Sequence, residues 1–387
     1  MIIRGRHFHS EQIMDFRCED GFLVEAQPAG NGTPDLGSAE HWVVPGLVDL
    51  QVNGYRGIDY CSADVTPEQI ESATRALADA GVTAYCPTLI TNSHSAIVNG
   101  LRAIAGACRA GGAAARRIIG IHLEGPFISP ETGPRGTHPL EYVRPPDWEE
   151  FLSLQEAAEN RICMVTLAPE LPGAIDFIRR ASAAGIIVGI GHHAASSDQI
   201  RAAIAAGAGI STHLGNGAHA RLPRHPNYIW DQLASDELAA SIVVDGHHLP
   251  PSVVKTFFRA KGAGRLILVS DVVWLAGLEP GRYRFAGQDV DLCADGCVRL
   301  AGTSFLAGSA LKLVDALSNM MAFAGASLSE AVRMAATNPA QLVRAAGRGL
   351  LTPGGPADLC LLSKQDGASA FALDATIVGG EIAYRAL

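Results

Sequence analysis

Gly185-Ile-Ile-Val-Gly-Ile-Gly-His-His193 and, farther along, Gly209-Ile-Ser-Thr-His-Leu-Gly-Asn216 decide how this chain is read. Each is an apolar run of strand length that ends in histidine, with glycine and small residues where a strand turns into a loop. Two strands thereby present imidazoles at equivalent ends. A lone histidine at a strand end is most often a satisfied interior residue, whereas the same arrangement on successive strand–helix units points to a shared ligand such as a metal ion.

Outward from these two, apolar runs of strand length recur at 43–52, 82–90, 117–124, 162–168, 186–192, 209–214, 239–245 and 265–271. Helical segments fill the intervals. In Thr66-Pro67-Glu-Gln-Ile-Glu, threonine caps and proline takes the first helical position, and helices after Pro172, Ser196 and Pro250 follow the same logic. Eight strands alternating with helices predict an α/β chain built as a parallel (β/α)8 barrel of the TIM type. An open dinucleotide-binding sheet is disfavoured because no Gly-rich fingerprint follows the first run.

The flanks have a different texture. Residues 1–44 are short β-like pieces punctuated by Asp20-Gly21, Gly30-Asn-Gly32 and Pro34, and β character returns at 357–362 and 375–384. Residues 1–44 and 353–387 are therefore expected to form a small β-sandwich-like domain beside a barrel over 45–352. The turn-rich stretch 283–300 reads as a hairpin excursion after the eighth strand, followed by helices over 309–324 and 328–336.

With 387 residues, 48% hydrophobic and 18% charged, the chain can bury a large core. A net charge of −9 and the lack of any Lys/Arg run argue against nucleic acid as a partner. Met1-Ile-Ile-Arg-Gly-Arg6 lacks a signal-peptide core, and no apolar run approaches the roughly 20 residues that span a bilayer, so no membrane association is expected and the expected location is cytoplasmic. The eight cysteines are scattered, and Cys293 and Cys297 lack CxxC spacing, which favours free thiols over disulfides or a thiolate metal site.

Active sites of such barrels sit at the C-terminal ends of the strands. The polar residues falling there are Gln51 and Asn53 on the first strand, His122 and Glu124 on the third, His192 and His193 on the fifth, His213 on the sixth, Asp245, His247 and His248 on the seventh, and Asp271 on the eighth. Glu124, His192 and His213 supply a carboxylate and two imidazoles for a hard or borderline cation with a position open to water. Taken singly, Glu124 suits a helix cap or a lysine partner and Asp271 a buried acceptor. The conjunction favours the metal, and Asp271 then lies where a general base would act on bound water.

Several motifs in order along the chain carry a resemblance: Pro45-Gly-Leu-Val-Asp49, His122-Leu-Glu-Gly-Pro126, Gly191-His192, Thr212-His213-Leu-Gly-Asn216, Asp245-Gly-His-His248, Val269-Ser-Asp271 with Ala276-Gly-Leu278, and Leu306-Ala-Gly-Ser309. Together they resemble the N-acetylglucosamine-6-phosphate deacetylase family of the amidohydrolase superfamily, the His-Leu-Glu-Gly-Pro stretch being the most specific. The resemblance implies Glu124, His192 and His213 as ligands of one divalent metal ion, zinc first, with Fe2+, Co2+ or Mn2+ as alternatives. It implies Asp271 as the catalytic acid/base and His138, in Gly136-Thr-His138, as the group that polarises the acetyl carbonyl. Gln51 and Asn53 stand where many amidohydrolases carry a second-metal His-x-His pair, and amides are weak ligands beside imidazole, which points the same way. For the sugar phosphate it implies Asn216 with the backbone at Gly217, His248, and Arg224 reaching from the neighbouring subunit of a homodimer. His193 is left as a residue behind the metal ligand.

The activity so implied is hydrolysis of the N-acetyl group of an amino sugar phosphate, N-acetylglucosamine 6-phosphate giving glucosamine 6-phosphate and acetate. Two departures bear on specificity: the 215–227 loop, Gly-Asn-Gly-Ala-His-Ala-Arg-Leu-Pro-Arg-His-Pro-Asn, replaces the family's more usual loop, and Trp274 follows Asp271 where small residues are usual. Another N-acyl sugar, an N-acyl amino acid or a cyclic amide is the alternative substrate class, and a non-catalytic sugar-phosphate-binding protein the alternative of another kind.

Overall fold

The computed structural model describes residues 1–387 apart from 286–287, 304, 365–369 and 387. Strands Leu47–Val52, Val82–Ile90, Ile121–Glu124, Ile162–Leu167, Ile187–Ile190, Ala208–Ser211, Ala239–Ile242 and Leu266–Leu268 lie parallel and side by side in chain order. The sheet closes where Val52 bridges Val272 in parallel and the Asn53 N–H donates to the Val272 carbonyl at 2.8 Å. This is the expected eight-stranded barrel. Helices between the strands begin where the caps said: Thr66 and Ser196 each form a reciprocal capping box, with Gln69 and Gln199, and helices start at Ala174 and Pro251.

Two of the sequence runs divide. The run 43–52 breaks at Gly46, so that Leu36–Pro45 joins the terminal sheet and Leu47–Val52 opens the barrel. A Cβ at Gly46 would lie 2.2 Å from Thr83 Oγ1, and only glycine lets the backbone pass that close to the second barrel strand. In the run 117–124, Arg117 ends the helix Gly112–Arg117 instead of starting a strand. Its buried guanidinium donates to the carbonyls of Val82 and Arg75, which a strand position facing the apolar barrel wall would not offer.

Both chain ends build one seven-stranded sheet, in the order Glu381–Arg385, Phe371–Val378, Leu359–Lys364, Leu36–Pro45, Ile2–His7, Ile13–Glu19, Phe22–Pro28. It curls over on itself. Ile3, Phe16 and Leu23 from one half share an apolar cluster with Leu359, Leu361 and Ile377 from the other, and Phe22 bridges Pro356 across the opening. The sandwich-like character thus comes from one folded sheet.

After the eighth barrel strand, Gly281–Phe285, Gln288–Leu292, Cys297–Leu300 and Leu306–Ser309 form a four-stranded antiparallel sheet, larger than a hairpin, with its own core of Val273, Leu275, Val290, Leu292 and Val298. Ser309 N–H donates to the Asp271 carbonyl at 3.1 Å, and Val273 N–H to that of Ser309 at 3.0 Å, so this sheet is laced directly to the end of the eighth strand. Helices Leu313–Ala324 and Leu328–Val332 follow. Among the described residues, no helix is long and apolar enough to cross a membrane.

Candidate active site

Glu124 ends the third strand with its side chain on the same side as His122, two residues earlier. Both point into the barrel. His122 lies beneath, its Nδ1 donating to the Leu50 carbonyl at 3.2 Å and its Nε2 therefore accepting from the Thr166 hydroxyl at 2.7 Å; the Thr212 hydroxyl lies 2.7 Å beyond. This polar floor is fully buried, and burial pushes His122 down to about 4, so it stays neutral.

Above the floor, Glu124 Oε1 stands 3.0 Å from His192 Nε2 and 2.7 Å from His213 Nε2, and the two Nε2 atoms are 3.0 Å apart. The donor chemistry fits a cation. Pro134 has only a carbonyl to offer, so at 2.8 Å His192 Nδ1 must carry the proton, leaving a lone pair on Nε2 aimed at the carboxylate and at the other imidazole. The three donor atoms lie within 4.8 Å of one another, close enough to share one ion that would answer the His192 lone pair and the carboxylate together. Burial raises the Glu124 carboxyl, but the two imidazoles beside it outweigh that and hold it well below the usual range. Gly217 permits the arrangement: its φ is +55°, and a Cβ there would fall 2.7 Å from His192 Nδ1.

Gln51 and Asn53 do not point at the cation position as a ligand pair would. Gln51 Nε2 donates to Glu124 Oε2 at 3.0 Å, and Asn53 Nδ2 donates to Asp271 Oδ1 at 2.8 Å. Each amide orients one carboxylate. Burial, then the charge of Glu124, push Asp271 up to about 6. His138 is buried with its ring centroid 4.3 Å from that of His192 and its Nδ1 2.8 Å from the Thr91 hydroxyl.

These groups open into a cavity of about 620 Å3 whose wall includes Asn53, Glu124, His138, His192, His213, Asn216, Gly217, His248 and Asp271. Trp274 is also in the wall, joined by Leu300 and Leu306 from the four-stranded sheet and by Phe305 from the connection between their strands. His248 Nδ1 bonds Asp245 Oδ2 at 2.7 Å. His193 faces away, its ring packed on Tyr228 at 5.1 Å. Arg224 is exposed and is not among the residues lining this cavity. Sequence reasoning missed Arg135, Asp59 and Thr91, which all have a part in the site. Arg135 adjoins Gly136-Thr-His138, and that adjacency is the one signal that pointed to it.

Three of the chain's non-glycine residues with left-handed backbone are His192, His213 and Asp271, with φ of 52°, 31° and 50°. Such conformations are held only where surrounding structure over-determines them, and they cluster at functional sites.

A chain 34% identical over 330 residues, covering 84% of this chain and 81% of its own length, is the N-acetylglucosamine-6-phosphate deacetylase of Bacillus subtilis (strain 168). The N-acetylgalactosamine-6-phosphate deacetylase of Escherichia coli O157:H7 is 31% identical, covering 93% of this chain and 94% of its own. Among solved structures, an Asp-to-Ala variant of N-acetyl-D-glucosamine-6-phosphate deacetylase from Mycobacterium smegmatis, in complex with N-acetyl-D-glucosamine-6-phosphate, superposes with a TM-score of 0.89 at 29% identity, covering 99% of both chains. Residues 42–383 match the Amidohydrolase family, and with the closed barrel and a carboxylate–imidazole cluster at its strand ends, this chain belongs to that family.

Proposed function

We propose that this chain is a metal-dependent hydrolase that removes the acetyl group from N-acetylglucosamine 6-phosphate. The observation that carries the reading is the cluster of Glu124, His192 and His213 with Asp271 beside it, in one cavity at the strand ends. Glu124, His192 and His213 would hold one divalent cation, with zinc favoured by the two imidazoles and Fe2+, Co2+ or Mn2+ compatible with the same set. When bound, such an ion supplies Lewis acidity that makes water acidic and the acyl carbonyl electrophilic.

The chain's own groups do the rest. Asp271, held by Asn53, takes the proton of the attacking water and passes it to the departing amine, which leaves as the neutral sugar amine. In the tautomer whose Nδ1 accepts from the Thr91 hydroxyl, 2.8 Å away, His138 would carry its proton on Nε2, where it would be available to the developing oxyanion. Asn216, the backbone at Gly217, and His248, braced by Asp245, line the cavity and would hold the sugar and its phosphate. An exposed Arg224 suits a homodimer in which it reaches the neighbouring cavity, and the expected site of action is the cytoplasm.

The galactosamine epimer is a second reading, favoured by the 31% identical relative named for that substrate. The test is acetate release by metal-loaded protein from N-acetylglucosamine 6-phosphate, N-acetylgalactosamine 6-phosphate and unphosphorylated N-acetylglucosamine. Fastest turnover on the first supports the proposal, fastest on the second selects the epimer, and no release from any of them removes both.

A further inference from the structure

The segment 129–138, which carries His138, is tied to the end of the fifth barrel strand at two points: the Ser129 N–H donates to the His192 carbonyl at 2.9 Å, and His192 Nδ1 donates to that of Pro134 at 2.8 Å. Its other side rests on the 215–227 loop. A Cβ at Gly133 would fall 3.0 Å from both the Ala218 carbonyl oxygen and the His219 Cα, so the two loops meet backbone to backbone. Beside that contact, Glu131 Oε2 lies 3.0 Å from His219 Nε2. A carboxylate offers only acceptors, so Nε2 carries a proton, and in the neutral ring Nδ1 is left to accept from the Tyr228 hydroxyl, 3.0 Å away. The same hydroxyl accepts the His219 backbone N–H at 2.8 Å. The Tyr228 ring is buried and packs on His193, so this chain of bonds starts from a fixed point in the core. Glu131, His219 and Tyr228 are not among the residues lining the strand-end cavity.

We infer that His219 is a positioning residue: oriented by Tyr228 and bonded to Glu131, it holds the 129–138 segment down on the fifth strand and keeps His138 in place beside His192. The rings of those two histidines have centroids 4.3 Å apart. An exposed carboxylate–imidazole pair contributes little to global stability, whereas displacing a catalytic donor by ~1 Å can cost turnover about a hundredfold. His219 stands in the loop where this chain departs from the family's more usual sequence. Its effect on turnover rests on the hydrolysis proposed above; its effect on the segment does not.

Hydrogen exchange of the 129–138 amides, read by mass spectrometry, is compared in the wild type, His219→Ala, Tyr228→Phe and His219→Gln. For the same proteins, metal-loaded, kcat and KM are measured on N-acetylglucosamine 6-phosphate, with and without His138→Ala. In His219→Ala the segment should exchange about tenfold faster and kcat should fall about tenfold, with KM within about twofold and Tm at the wild-type value. Tyr228→Phe keeps the ring on His193 and should show smaller changes of the same kind. His219→Gln, whose amide still donates to Glu131, should recover most of kcat. With His138 already replaced, His219→Ala should lower kcat by no more than about twofold further. Wild-type exchange in His219→Ala overturns the inference. A full tenfold loss in the His138→Ala background overturns it as well, because His219 then does not act through His138. A fall in kcat that tracks a fall in Tm marks a residue that only stabilises the fold and has the same effect. A wild type that releases no acetate removes the proposed hydrolysis instead, and the exchange rates alone then decide whether His219 holds the segment.

Discussion

The terminal sheet and the rim of the barrel differ in where their strain and unmet polar groups lie. In the sheet, Ile3, Phe16, Val43 and Leu359 are fully buried against one another, and Arg4 meets Asp15 through two bonds of 2.7 and 2.8 Å. At the rim, His192, His213 and Asp271 keep left-handed backbones, and Asn53 Oδ1 and His213 Nδ1 are buried without hydrogen-bond partners. The rim puts strain and unmet polar capacity on the residues of the site, whereas in the sheet the left-handed residues Glu11 and Asp20 lie in turns and Asp374 Oδ2 is a buried oxygen without a hydrogen-bond partner. A fold keeps such conflicts where chemistry needs them and compensates through consistent packing elsewhere.

Substitutions that separate the two regions break or sharpen this contrast. The largest effect is expected at the rim: Asp271→Asn should lower kcat about a thousandfold while metal content, read by elemental analysis, stays at the wild-type level. A variant that keeps most of its turnover would remove Asp271 from the acid/base role. In the sheet, Phe16→Ala should lose about 3–5 kcal/mol of stability in urea unfolding and leave kcat of the folded fraction unchanged.

Asp49 joins the two kinds of region, since it lies on the first barrel strand under the rim with its Oδ2 buried and unpartnered. Burial pushes it up to about 7, against hydrogen bonds from Ser270 and Gln51 that work the other way. Its folded pKa lies above the unfolded value of about 3.9, so the folded state holds a proton that the unfolded state releases between these values. Its contribution is therefore present at low pH and is lost as pH rises toward 7, by a few kcal/mol in all. The fall in Tm between pH 5 and pH 8 should be smaller in Asp49→Asn; an identical pH profile would show that Asp49 is already ionised in the folded state.

Gln51→Leu removes the amide that orients Glu124 and should weaken metal affinity about tenfold to a hundredfold, measured by competition with a chelator. An unchanged affinity would mean that Glu124 needs no such brace. The smallest effect concerns strain: His192→Asn should abolish activity yet raise the stability of the metal-free protein by about 1 kcal/mol, because asparagine tolerates a left-handed backbone better. A drop in stability would show that the His192 ring contributes more by packing than its backbone loses.

The barrel was legible because strand and helix periods alternate along the chain and because Thr66 and Ser196 announce their helices. The cluster of Glu124, His192, His213 and Asp271 was legible for a related reason: each stands at the end of an apolar run, and barrel geometry brings those ends together. The division at Gly46 was not, since Leu36–Pro45 and Leu47–Val52 read as one apolar run and only the approach of Thr83 shows where it breaks. The four-stranded sheet after Asp271 was underestimated for want of long alternating stretches.

By itself the sequence determined the strand–helix alternation and the chemistry at the strand ends, because both follow from local period and from residue types fixed within short segments. Tertiary structure alone decided which groups face the cavity from loops, as with Arg135, Thr91 and the Pro134 carbonyl, and it gave Gln51 and Asn53 their partners among the carboxylates. Loop residues have no period to betray their direction; it is set by contacts between segments far apart in the chain, such as Gly133 against Ala218.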